Sequence, residues 1–304
     1  MAKVFVTRAL PGDALERLRR AHDVRVWDGA LPPEPAVLRE AMAEVEGLLC
    51  LLTDRVDAAL LDSAPRLRAI ANYAVGTDNI NLELTAARAI PVGVTPDVLT
   101  EATADLAFAL LLAAARGLPQ AAADARAGAW RTWEPAGWLG AEVDGATLGI
   151  VGFGRIGRAV ARRAQGFRMT VISSAESGLD DLLAASDYVS LHVPLTARTR
   201  HLIDAAALRR MRPTAILVNT SRGAVIDQAA LISALRAGEI AAAAIDVTDP
   251  EPPPPRDPIY ETPNLLVVPH IGSATRAARA RMTELAVENL LAGLAGKPMP
   301  HPAG

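Results

Sequence analysis

Residues 147–165 read TLGIVGFGRIGRAVARRAQ: an apolar run, three glycines spaced G-x-G-x-x-G, then alanines and arginines at helical spacing. Few patterns restrict a fold as much. A strand that turns through glycine directly into a helix is half of a β-α-β unit, and such units stack into a parallel sheet with helices on both faces. Each glycine has its own duty. Gly152 permits the tight turn, Gly154 lets the backbone approach a pyrophosphate, and Gly157 allows the helix to pack closely on the strand. The helix start, Arg155-Ile156, attracts negative charge, and Arg155 could add a direct phosphate contact. The segment predicts a dinucleotide site.

The same alternation fills the chain. VFVT (4–7), VRVW (24–27), GLLCLL (47–52), LRAIAN (67–72) and IPVGV (90–94) read as strands separated by helical stretches. TLGIVG, MTVISS, YVSLHV, AILVNT, AAAAIDV and LLVVPH form a second series after the glycine loop. The fold class is therefore α/β, with two doubly wound parallel-sheet domains: a flavodoxin-like first domain, which the family resemblance set out below implies is the substrate domain, and a Rossmann dinucleotide-binding domain. A length of 304 residues with 51% hydrophobic content suits two cores. Residues 1–97 with 276–304 are assigned to the substrate domain and 98–275 to the dinucleotide domain. The long apolar helix from Thr100 joins them and contributes to a dimer interface. The last helix returns to the first domain.

Net charge is −3 with no basic block, which gives no footprint for nucleic acid or an anionic membrane. The most apolar stretch, Leu106–Ala115, is about half the length that crosses a bilayer. The opening MAKVFVTRALPGD has no secretory apolar run. The single cysteine, Cys50, reads as a small buried hydrophobe, and the cytoplasm is the expected compartment.

In an open parallel sheet, ligands bind beyond the carboxyl ends of the strands. The second series of runs ends at Gly152, Ser173–Ser174, His192, Asn219–Thr220, Asp246 and His270. Three segments there carry chemistry: VNTSRGAVID, AIDVTDPEP and VVPHIGSAT. Hydride transfer to a carbonyl needs a proton donor working near neutral pH, which suits His270. A carboxylate on its other ring nitrogen, such as Glu251, would fix its tautomer. An arginine fork such as Arg222 can grip a carboxylate bidentately. Taken singly, each of these residues is more often an ordinary surface or strand-end group.

Together they are recognisable. With NYAVGTDNI, TEATADLAFALLL, LGIVGFGRIG, LHVPLTARTRHLI, VNTSRGAVID, DVTDPEP and PHIGSAT in order, the chain resembles the D-2-hydroxyacid dehydrogenase family over nearly its whole length. The glyoxylate/hydroxypyruvate reductase branch is the most similar. The resemblance implies reduction of small 2-oxo acids with NAD or NADP, with Arg222 binding substrate and Glu251 paired to His270 as proton donor. It implies that backbone N–H groups of Ala74, Val75 and Gly76 also meet the substrate carboxylate. The cofactor side would include Ser174, Ala175, Glu176, Val193, Pro194, Thr199, Thr220, Ser221, Gly272 and Asp246, the last near the nicotinamide carboxamide. It further implies a homodimer and no metal: His22, His201 and His301 have no partners suggesting one, and His192 reads as structural. Trp133 and Trp138 lie in a loop that in related reductases reaches a neighbouring subunit's active site. That leaves Trp138 between a substrate contact and simple packing. Other readings stay open: the same chemistry on phosphoglycerate or D-lactate, or a non-catalytic dinucleotide-sensing scaffold like the related corepressors.

The stretch VISSAES (171–177) departs from the pattern. NAD enzymes usually place an acidic residue at this strand end to accept from the ribose 2′-hydroxyl, and Ala175 occupies that position. Ser173, Ser174 and Ser177 offer small polar groups instead. Glu176 adjoins them, Asp180 and Asp181 follow, and no arginine lies between Arg168 and Arg198. A 2′-phosphate would need Arg198 or Arg200 to fold back. The family's usual stretch between this strand and the next helix is also shortened. The balance of charge favours NAD, with Glu176 replacing the missing aspartate.

Overall fold

The computed structural model describes residues 1–303. The chain divides into two compact units, Met1–Leu99 with the segment from Ala274 onward, and Thr100–Ser273.

The first unit holds β1 (Lys3–Val6), β2 (Asp23–Val26), β3 (Gly47–Cys50), β4 (Ala69–Asn72) and β5 (Val92–Gly93), all parallel, in the order β2-β1-β3-β4-β5. This is the flavodoxin-like order. The central strands β3 and β4 are buried at every residue, as expected of parallel strands covered on both faces. The helix Arg276–Leu294 packs on one face, where Met282, Ala286, Leu290 and Leu294 share a core with Val4, Val6, Leu49 and Ala71. Each large apolar side chain so buried contributes about 1.5–3 kcal/mol. Asn289 ties helix to sheet: its Nδ2 donates to Val94 O at 2.9 Å and its Oδ1 accepts from His301 N at 2.9 Å. The close approach depends on Gly93, where a Cβ would stand 2.5 Å from the Asn289 side chain.

The second unit holds β6 (Thr147–Val151), β7 (Thr170–Ser173), β8 (Tyr188–Leu191), β9 (Ile216–Asn219), β10 (Ala242–Ile245) and β11 (Leu265–Val267). They form one parallel sheet in the order β7-β6-β8-β9-β10-β11. Alternate residues feed the two faces: Leu148 and Ile150 pack under the helices Thr100–Ala115 and Arg155–Gln165, while Val151, Val189 and Leu191 face the opposite core. Strand order reverses between β6 and β8, the point where such sheets bind ligands. β7 is the sheet's edge, because no third strand lies outside it as in the commoner 3-2-1-4-5-6 order.

Three local details differ from the sequence reading. The strands stop one to three residues before several of their polar ends, so His192 and Asp246 begin loops and His270 lies three residues past β11. Single backbone bonds carry the pairing a step further, as in His192 N to Val151 O at 2.7 Å. The helix expected from Thr100 ends at Ala115, and a second runs from Leu118 to Arg126 at 64° to it. Gly117, at φ +55, makes the corner, and Pro119 lacks the N–H needed to continue the first ladder. Among the described residues no single helix is long and apolar enough to cross a membrane. Finally, Ser174–Ser177 forms one helical turn directly after β7, and the helix Leu179–Ala185 begins beyond Gly178.

Candidate active site

In the second unit the residues singled out after β10 and β11 converge. His270 Nδ1 lies 2.5 Å from Glu251 Oε1, both side chains being about a quarter to a third exposed. Glu251 is steadied by its other oxygen, which accepts from Thr248 N at 3.4 Å. His270 has a left-handed backbone, φ +51, a conformation that costs a non-glycine residue about 1–2 kcal/mol. Asp246 holds that conformation. Its carbonyl accepts from His270 N at 2.9 Å, and its carboxylate oxygens accept from Ile271 N at 2.6 Å and Gly272 N at 2.7 Å. Asp246 is 1% exposed, and burial pushes its carboxyl above the ordinary range while the two N–H groups pull it back. With Nδ1 directed to Glu251, Nε2 is the ring nitrogen left for proton exchange.

Arg222 follows β9 in a loop organised by Asn219. The Asn219 amide donates to Arg222 O at 2.9 Å, and its oxygen accepts from Ser221 N at 2.9 Å and Ser221 Oγ at 2.7 Å. Gly223 is required by packing, since a Cβ there would stand 2.0 Å from the Thr248 carbonyl. The glycine therefore lays the arginine loop directly on the loop leading to Glu251.

The glycine loop is equally constrained. Gly152 has φ +94 and a Cβ there would lie 2.6 Å from His192 O, while one on Gly157 would lie 2.2 Å from Gly152 O. At Gly154 a Cβ would meet no protein atom within 4 Å. Packing within the chain thus accounts for the outer two glycines and not for the middle one, which borders open space at the start of an 11-residue helix. Thr220, just past β9, has a buried hydroxyl with no hydrogen-bond partner among the described residues. Both features suit a dinucleotide, with phosphates at Gly154 and the helix start and a polar group near Thr220.

At the β7 end of the sheet, Ser174 Oγ accepts from Gly152 N at 3.3 Å and so braces the glycine loop. Ser173 Oγ donates to Glu176 Oε2 at 2.8 Å, and Ser177 Oγ donates to Ser173 O at 3.1 Å. The helical turn thereby folds the Glu176 carboxylate back to the end of β7, while Ala175 is exposed. Arg200 faces Asp249 at 3.4 Å instead of this corner. Thr199 closes the turn after β8 by donating to Pro194 O at 2.6 Å, and Val193 borders Gly152. His192 is held near neutral form: burial pushes it down to about 4, and its Nε2 lies 2.8 Å from Ser190 Oγ.

In the first unit, Ala74, Val75 and Gly76 follow β4. Ala74 O accepts from Thr95 N and Gly76 O from Asn72 Nδ2, each at 2.9 Å. Trp138, in the second unit, stands at φ +50 with its ring N–H on Asp124 Oδ2 at 2.8 Å. The sequence marked Asn219 and Ser173 only as polar groups at strand ends and gave Thr248 no role; each acts through another residue, which folding alone reveals.

Comparison with known proteins identifies the family. Residues 108–272 match the family model described as D-isomer specific 2-hydroxyacid dehydrogenase, NAD binding domain. A glyoxylate reductase of Korarchaeum cryptofilum is 47% identical over 314 aligned positions, covering 98% of this chain and 95% of that protein. With 98% of 304 residues used, about 16 of those positions have no counterpart here. A protein of Thermus thermophilus matches in crystal structure with a TM-score of 0.92 at 48% identity, over 99% of this chain and all of that one. An NADPH-dependent glyoxylate/hydroxypyruvate reductase from Sinorhizobium meliloti, in complex with NADP and malonate, matches at 0.86 and 33% identity over 100% and 97%.

Proposed function

Because the chain belongs to the D-isomer specific 2-hydroxyacid dehydrogenase family and is thus an NAD(P)-dependent oxidoreductase, we propose that it reduces glyoxylate and hydroxypyruvate to their 2-hydroxy acids. The observation that carries the reading is the His270–Glu251 contact at 2.5 Å beside an arginine loop fixed by Gly223. The cofactor, when bound, supplies the hydride that adds to C2 of the 2-oxo acid. His270 Nε2 gives its proton to the carbonyl oxygen as that oxygen gains charge, and Glu251 stabilises the ring throughout. Arg222 grips the carboxylate. In this reading Thr100–Ser273 is the dinucleotide domain, and the first unit contributes the N–H groups of the Ala74–Gly76 loop. The test is a cofactor-oxidation assay over glyoxylate, hydroxypyruvate, 3-phosphohydroxypyruvate and pyruvate. Turnover of the first two is expected to exceed the others, and no turnover of any would overturn the reading in favour of a dinucleotide-responsive scaffold.

NADH is the preferred cofactor in this reading, supported by the Glu176 carboxylate at the end of β7. The enzyme also works as a homodimer. Supporting this, Trp130, Trp133, Trp138 and Leu139 on one segment are 67%, 80%, 42% and 78% exposed, a density of apolar surface usual at interfaces. Sedimentation velocity should give a dimer, and a monomer at micromolar concentration would refute it.

A further inference from the structure

Two asparagines in the first unit, one buried and one half-buried, play no direct part in the chemistry above, yet they hold the loop that it uses. Asn72 ends β4 and is fully buried; Asn79 lies seven residues on, beyond the loop. Their side-chain amides face each other: Asn72 Nδ2 donates to Asn79 Oδ1 at 3.0 Å, and Asn79 Nδ2 lies 3.3 Å from Asn72 Oδ1. Asn72 Oδ1 also accepts from Cys50 Sγ at 3.6 Å, and the remaining contacts reach backbone carbonyls. Asn72 Nδ2 donates to Gly76 O at 2.9 Å, and Asn79 Nδ2 donates to Leu51 O and Asp54 O, both at 3.0 Å. Only one orientation of each amide works, because reversing either would set oxygen against carbonyl oxygens. The Leu51–Asp54 turn is itself closed by Asp54 Oδ2, which accepts from Leu51 N at 2.7 Å and Thr7 Oγ1 at 2.5 Å.

The consequence lies in peptide geometry. A trans peptide points its N–H opposite to its carbonyl. Ala74 O is held by Thr95 N and Gly76 O by Asn72 Nδ2, so the N–H groups of Val75 and Thr77 turn away from those partners. The N–H groups of Val75 and Gly76 have no partner among the described residues. A turn that leaves successive N–H groups unpartnered can receive an anion.

We propose that the Asn72–Asn79 amide pair is a positioning device: by fixing the Gly76–Thr77 peptide it anchors the far end of the Ala74–Thr77 loop, so that the loop presents its N–H groups to the substrate carboxylate, which rests on the functional reading above. The pair contributes binding through the loop without touching substrate. It links three strand ends, at Thr7, Leu51–Asp54 and Asn72–Gly76, so loop position is set by the sheet.

The test is Asn72→Ser, which removes the tie to Gly76 and leaves the bonds from Asn79 to Leu51 and Asp54. The expected result is a KM for glyoxylate raised about tenfold, the scale of one lost hydrogen bond to a charged group. Oxalate binding to the NADH-loaded enzyme, read by calorimetry, should weaken by a similar factor. The kcat should stay within about threefold, and the dissociation constant for NADH, read by its fluorescence, within about twofold. An unchanged KM in a folded variant would overturn the proposal. So would parallel losses in KM, kcat and NADH binding, the mark of general damage. Should Asn72→Ser not fold, Asn79→Ser is read by the same criteria. Wild-type enzyme that turns over no 2-oxo acid would instead overturn the functional reading, so the two failures are distinct.

Discussion

At the β10–β11 end of the second sheet, side chain answers side chain. Asp246 takes three N–H groups through its carbonyl and carboxylate, Glu251 takes one N–H and the His270 ring, and Gly223 presses the arginine loop onto Thr248. At the β7 end the sheet simply stops, and the Glu176 carboxylate, at the corner proposed to take the ribose, hangs from a four-residue helical turn by a serine hydroxyl. The first region is over-determined, so its residues cannot drift without losing several bonds at once. In the second, the Glu176 carboxylate rests on a single side-chain contact, from Ser173 Oγ, and can be released by losing that one bond. A fold shared across a family can thus hold its chemistry constant while it alters what it accepts at the nucleotide's far end.

The comparison predicts unequal losses. His270→Ala should lower kcat by about 10²–10⁴-fold, the usual worth of a positioned acid, while leaving NADH affinity within about twofold. Near-wild-type turnover would remove His270 from the reaction. Glu251→Gln keeps the shape but gives up the charge facing Nδ1, and the amide can turn its NH2 toward the ring. The expected loss in kcat is smaller, about 10–100-fold. If Glu251→Gln proved as severe as His270→Ala, Glu251 would itself be moving a proton.

The two regions were also unequally legible. Gly152, Gly154 and Gly157 were visible because their chemistry needs glycine at fixed spacing, and spacing is written in one dimension. The parallel strands were visible as apolar runs for the same reason. Arg222, Glu251 and His270, ordinary when taken singly, were visible through the motifs that carry the family resemblance. Asn219 and the Asn72–Asn79 pair were not, since they act on backbone carbonyls and amides brought together only by folding. The left-handed backbone of His270 was hidden too, because Asp246 imposes it from 24 residues away. At VISSAES the missing aspartate was plain, but not that the chain coils at once and returns Glu176 to the strand end.

That return makes the smallest and most discriminating prediction. A carboxylate at the ribose corner accepts from a 2′-hydroxyl and repels a 2′-phosphate, so one substitution should move both cofactors in opposite directions. Glu176→Ala should raise the KM for NADH about tenfold, the scale of one lost charge-assisted hydrogen bond, and lower that for NADPH. Ser173→Ala leaves the carboxylate in the chain but frees it from β7. It should weaken NADH binding less than Glu176→Ala does, and leave NADPH still disfavoured. Arg200 faces Asp249 at 3.4 Å and Arg210 faces Asp180 at 3.2 Å, so neither is turned to receive a phosphate there. Removing repulsion alone therefore relaxes the preference without reversing it. A wild-type enzyme that already prefers NADPH would break the charge argument outright, and would mean that groups other than Glu176 read the ribose.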